Sequence, residues 1–284
     1  MKGLLWGLAG MLVGVGLLNL AIRRSLAASR RIGGEPPAAL PWRDVRLPTA
    51  NGKQLHGWYI PAPPGSPALV VMHGWGGHAG LMLPLAAPLH AAGYTLLLVD
   101  ARCHGRSDGD NFASLPRFAE DIEAAMAWLG ARPEVDQRAI GLVGHSVGAG
   151  AALLAASRQP LVRAVVSLAG FAHPAGMMRR WLATRGIPYR PLGAYVLAYV
   201  QHVIGHRFDD IAPCRTIARV ACPVLIVHGL DDATVPVAEA RQIHAAGTGR
   251  HVELLLIPGS HDDYGDIAGQ IGPVRQFLDC AMRG

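Results

Sequence analysis

Cysteine is scarce in this chain, charge is thin, and acid is missing altogether from one stretch. The four cysteines among 284 residues, Cys103, Cys214, Cys222 and Cys280, form no C-x-x-C pair and no zinc spacing. That favours free thiols over a disulfide framework or a structural zinc, with a Cys214–Cys222 bridge conceivable only in an oxidising compartment. Charged residues make up 16% of the chain and hydrophobic ones 51%, so intrinsic disorder is not the expectation. Residues 1–31 hold no Asp or Glu but carry Lys2, Arg23, Arg24, Arg30 and Arg31. Taking those five from the 26 basic residues leaves 21 against 20 acidic ones, so the body is near neutral and no nucleic-acid partner is expected.

What is present sorts into an amino-terminal appendage and one large α/β unit. Gly3–Ile22 is a run of 20 uncharged residues, the length of a bilayer-spanning helix. Its length and the Arg23-Arg24 pair favour an uncleaved transmembrane anchor, residues 1–31 with the basic flank. A cleaved signal peptide, with small residues at Ser25-Leu26-Ala27, is the rival reading and would give an exported protein. The four arginines after the span place the body in the cytoplasm by the positive-inside rule, with the membrane as partner through the helix. Residues 32–43, rich in Gly and Pro, read as a linker to a domain spanning 44–284.

Within that domain Asn51-Gly52 between two apolar runs predicts an antiparallel hairpin. Short apolar strands follow at Ala68–Met72, Tyr94–Val99, Ala139–Val143, Leu161–Leu168, Pro223–Val227 and Val252–Ile257. Helical stretches alternate with them, which predicts a mostly parallel, twisted sheet covered on both faces. Residues 171–220 break the rhythm with helical apolar segments and read as a cap over the carboxyl ends of the strands.

The chemistry centres on Gly144-His145-Ser146-Val147-Gly148, which follows a strand and opens an alanine-rich helix. A serine on such a turn is exposed, and its neighbours two before and two after must be small. Serine needs a base, histidine suits neutral pH, and histidine needs a carboxylate to hold its tautomer. Thirteen histidines are available. Position selects His261, after the last strand, and Asp232, after the preceding one. Asp231 competes for the acid role, Asp262 and Asp263 read as surface charges, and the His202/His206 pair lacks a third ligand, so no metal is assigned.

From about Asp44 to Met282 the chain resembles the α/β-hydrolase superfamily, of the capped esterase, lipase and serine aminopeptidase type. The likeness rests on His73-Gly74-Trp75-Gly76-Gly77, the Ser146 pentapeptide, His228-Gly229 with Asp232 to Pro236, and Gly259-Ser260-His261. The D-x-x-V-P spacing of the family selects Asp232. Asp100 to Ser107 is similar to the family's D-x-R-G-H-G-x-S turn, with Cys103 where the family has glycine. The resemblance implies Ser146 as nucleophile, Asp232 as acid, His261 as base, and the backbone amides of Trp75 and Val147 as an oxyanion hole. It implies a serine hydrolase of carboxylic esters, with a small-molecule or lipid-like acyl substrate and no cofactor. Peptidase, thioesterase and acyltransferase activities share the signature, and a non-catalytic binding protein on the same fold is the alternative of another class.

Overall fold

The computed structural model describes residues 2–28, 30–247, 249, 251–263 and 267–283. Helix α1 (Lys2–Ser25) comes first, and an irregular segment leads from it to strand β1 (Arg43–Thr49). β1 turns through Asn51 and Gly52, both at positive φ, into the antiparallel strand β2 (Lys53–Ile60). Asparagine and glycine are the residues that tolerate this backbone, which is why the pair marks the hairpin. Strand β3 (Ser66–Met72), helix α2 (Leu83–Ala91), strand β4 (Thr95–Val99), helix α3 (Leu115–Gly130) and strand β5 (Val135–His145) follow. Next come helix α4 (Val147–Ala156) and strand β6 (Val162–Leu168).

The eight-stranded sheet is completed by β7 (Val224–Gly229) and β8 (Val252–Ile257) in the order β1-β2-β4-β3-β5-β6-β7-β8. β2 is antiparallel to both neighbours, and the strands from β4 to β8 along that order are parallel. Parallel strands need crossovers, and the helices that make them cover both faces. Buried side chains of α3 and α4 pack on one face, together with Ala240 and Ile243 of α9 (Val237–Ala246). Ala86 and Leu89 of α2 and Val274, Phe277 and Leu278 of α10 (Ile267–Arg283) pack on the other. The register brings Met72 beside Gly144, Gly144 beside Ser167, and Leu168 beside Val227, so β3, β5, β6 and β7 end at one rim.

Between β6 and β7 the chain forms α5 (Pro174–Ala183), α6 (Ala194–Ile204) and two single turns, α7 (Phe208–Ile211) and α8 (Pro213–Thr216). Leu182, Val196, Leu197 and Val200 are buried in the larger core cluster, so these helices are packed onto the body. All four cysteines are free thiols.

The amino terminus corrects the sequence reading. Among the described residues no helix is long and apolar enough to cross a membrane. The single-pass membrane localisation expected for Gly3–Ile22, and the membrane partner with it, are therefore not upheld. The last turns of α1 are engaged with the protein itself. Ile22 is buried, and Leu18 and Leu26 pack on the core. Tyr195 donates from its hydroxyl to Asn19 Oδ1 at 2.7 Å, and Arg23 Nε donates to the Tyr199 hydroxyl at 2.9 Å.

Candidate active site

Ser146 sits between β5 and α4 at φ 54°, ψ −113°, a backbone that L-residues rarely adopt. Two glycines make the turn possible. A Cβ on Gly144 would lie 2.2 Å from the Gly148 carbonyl oxygen, and one on Gly148 would lie 2.5 Å from that of His73. Strand and helix meet so closely that only hydrogen fits. The Ser146 amide donates to the Leu168 carbonyl at 2.8 Å, which ties the turn to β6. Strain of this kind costs roughly 1–3 kcal/mol and persists where the surroundings over-determine it.

Across the rim, His261 and Asp232 meet the serine. His261 Nδ1 lies 2.7 Å from Asp232 Oδ2, and His261 Nε2 lies 3.1 Å from Ser146 Oγ. A carboxylate only accepts, so Nδ1 carries the proton and Nε2 presents its lone pair to the hydroxyl. Asp232 is buried and is held from the other side: its Oδ1 accepts from the Thr234 and Val235 amides at 2.9 and 2.7 Å. Asp231 is exposed and its amide bonds to the Gly259 carbonyl; the aspartate hydrogen-bonded to the imidazole is Asp232. Asp262 and Asp263 are exposed.

Trp75 lies in the turn from Gly74 to Gly77, closed by a bond from the Gly77 amide to the Gly74 carbonyl. Val147 is the first residue of α4, where amides have no partner within the helix. His73, wholly buried, helps to set the turn. Its Nε2 accepts from the Ala101 amide at 3.1 Å, so its Nδ1 carries the proton and donates to the Gly74 carbonyl at 2.6 Å. In a trans peptide the C=O and the following N–H point opposite ways, so this bond turns the Trp75 N–H away from His73. Burial, reinforced by repulsion from His104, lowers the His73 pKa to about 3 and keeps the ring neutral.

Sequence reasoning passed over His145. Its Nε2–H donates to the backbone carbonyl of His261 at 2.8 Å, while its Nδ1 lies 3.0 Å from where a Cβ on Gly74 would sit. One ring thus touches the loops of Gly74 and His261 while adjoining Ser146 in the chain. Burial lowers its pKa, which leaves it neutral. Its place as the second residue of the pentapeptide was the only available signal. Together with Asp262, it and His261 offer ligand atoms within 4.8 Å of one another. Two of the three already serve the hydrogen bonds described, and nothing else there calls for a cation.

A cavity of about 520 Å³ opens at Ser146 and His261, walled mainly by apolar side chains that include Leu81, Leu85, Leu168, Val227 and Val274. The Asp100 turn follows β4, which ends beside β3 at this rim. Cys103 there has φ 67°, the left-handed region, which explains why glycine suits that position in the family motif. His202 and His206 belong to α6 and the turn after it, away from the cavity wall.

Comparison with known proteins places the chain in a family. The uncharacterized protein Rv2307c of Mycobacterium tuberculosis is 30% identical over 243 residues, covering 83% of this chain and 79% of that one. The model of the serine aminopeptidase S33 family matches residues 64–200. The chain belongs to the α/β-hydrolase superfamily. The polyketide transferase af380 of Aspergillus fumigatus is 35% identical over 133 residues, 46% of each chain. The Pyrococcus furiosus esterase Pf2001 shares the fold, with a TM-score of 0.74 at 22% identity over 90% of this chain and 97% of that one. The matching family model supports a hydrolase.

Proposed function

We propose that this α/β-hydrolase is a serine hydrolase that cleaves carboxylic (acyl) esters through an acyl-enzyme. The observation that carries the reading is the relay at the cavity wall: Ser146 Oγ 3.1 Å from His261 Nε2, whose other nitrogen is tied to buried Asp232. In the first half-reaction Ser146 Oγ attacks the acyl carbon and its proton passes to His261 Nε2. Asp232 stabilises the imidazolium, and the Trp75 and Val147 amides receive the oxyanion. The adduct collapses as the bond to the alcohol oxygen breaks, and His261 delivers its proton to that oxygen. In the second half-reaction His261 takes a proton from water, the hydroxide attacks the acyl-enzyme, and the carboxylic acid leaves as Ser146 is reprotonated. Residues 171–220 serve as the cap of the catalytic unit, with Met177 of α5 on the cavity wall. The apolar wall suits an acyl chain.

The relative named a polyketide transferase favours a second reading on the same residues, in which an acyl group passes to an acceptor other than water. A fluorophosphonate probe is expected to label the wild-type protein and not Ser146→Ala. No labelling of the folded wild-type protein removes the serine-nucleophile reading in favour of a non-catalytic binding role. A panel of p-nitrophenyl esters of increasing chain length, beside acyl thioesters with alcohol acceptors and aminopeptidase substrates, separates the activities.

A further inference from the structure

Among the described residues the cavity wall carries one arginine, and the chemistry proposed above gives it no task. Arg31 lines the Ser146 cavity, yet it comes from the irregular segment after α1 and not from a loop at the strand ends. That segment is pinned on both sides. The Arg30 guanidinium donates to the Ser107 carbonyl. Gly33 and Gly34 press against the body so tightly that a Cβ on either would come within 2.8 Å of His78 or Gly80. Arg31 is thus carried on a fixed strap and not on a loose tail.

Its charge is uncommitted. Among the described residues the arginine ion pairs engage Arg102, Arg117, Arg158, Arg180, Arg275 and Arg283, and none engages Arg31. The carboxylate that shares the wall, Asp262, is exposed and turned toward His145, with its Oδ1 3.9 Å from His145 Nε2. Arg31 is itself exposed, and its guanidinium presents a planar fork of donors that matches a carboxylate. Leu81, Leu85, Leu168, Val227 and Val274 on that wall could be satisfied by any hydrocarbon chain. Arg31 could not.

We propose that Arg31 sets specificity by receiving an anionic group, such as a carboxylate, borne by the ester away from its scissile carbonyl. The substrate class is then a half-ester of a dicarboxylic acid, or an ester whose alcohol portion bears the anion, in place of a plain fatty acyl ester. This rests on the reading of Ser146 as the nucleophile.

The test uses two matched pairs of esters on the full-length chain. Mono-p-nitrophenyl glutarate and its methyl ester place charge on or off the acyl side, and 4-acetoxybenzoate and its methyl ester do the same on the leaving-group side. In one pair the ratio of kcat/KM for the charged over the neutral ester is expected to fall roughly five- to tenfold in Arg31→Gln and further in Arg31→Glu, mostly through KM. The pair that responds identifies the side. The wild-type preference is also expected to shrink as salt rises to about 0.5 M, where charges are screened within a few ångströms. Equal ratios in wild type and both variants, for both pairs, overturn the role of Arg31 while leaving the hydrolase reading intact. No turnover of any of the four esters by folded wild-type protein removes the ester-hydrolase reading, and this proposal with it.

Discussion

Acid should weaken this fold in a way that one histidine makes measurable. His73 is fully buried, and burial lowers its pKa from 6.5 to about 3. A group with a depressed basic pKa binds fewer protons in the folded chain than in the unfolded one. Its contribution is therefore complete above pH 6.5 and is lost progressively as pH falls toward 3. At pH 5 the unfolded imidazole is almost fully protonated and the folded one is still neutral. The linkage relation then gives a loss of about 2 kcal/mol relative to pH 8. Urea unfolding followed by tryptophan fluorescence at the two pH values measures it, with His73→Asn as the comparison. The other titrating groups are common to both proteins, so they cancel in the difference of the two pH slopes. Asp100, held near a pKa of about 2 by His56 and the Arg106 and Ala79 amides against the opposing effect of burial, acts only at lower pH. The variant is expected to be less stable at both pH values and to lose about 2 kcal/mol less between them. Equal pH slopes in the two proteins would refute the neutral buried ring, and with it the tautomer that sets the Gly74 peptide.

His145→Ala removes the donor to the His261 carbonyl, and kcat/KM is expected to fall roughly ten- to hundredfold through kcat, since small misplacements of a base are costly. His145→Gln, which keeps a donor, is expected to recover part of that activity, and equal rates in the two variants would refute the positioning role. Gly148→Ala places a methyl 2.5 Å from the His73 carbonyl oxygen and 2.6 Å from that of Met72, both backbone atoms. Overpacking against backbone predicts a loss of about 3 kcal/mol in urea unfolding, and a change below about 0.5 kcal/mol would contradict the close strand–helix contact.

Periodicity made most of the fold legible. The buried strands were continuous apolar runs, as strands covered on both faces must be, and the Asn51-Gly52 turn declared its hairpin through two positive-φ positions. The candidate site was legible for a related reason. In a parallel sheet every strand ends at the same rim, so residues just after β5, β7 and β8 share a neighbourhood whatever their separation in the chain. The amino terminus was misread because counting uncharged residues does not show what a helix packs on. Asn19, Ile22 and Arg23 show their purpose only beside Tyr195, Tyr199 and the core.

By itself the sequence determined the strand and helix pattern, the order Ser146, Asp232, His261, and the small residues that the turn at Ser146 demands, because these depend on local sterics and on periodicity along one chain. Only the tertiary structure decided how closely Asp232 meets the imidazole, that His145 braces the His261 loop, and that Arg31 reaches a cavity walled by Leu168 and Val274. Those outcomes depend on contacts between segments tens to more than two hundred residues apart, and direction and distance between such segments exist only once the sheet has brought them together.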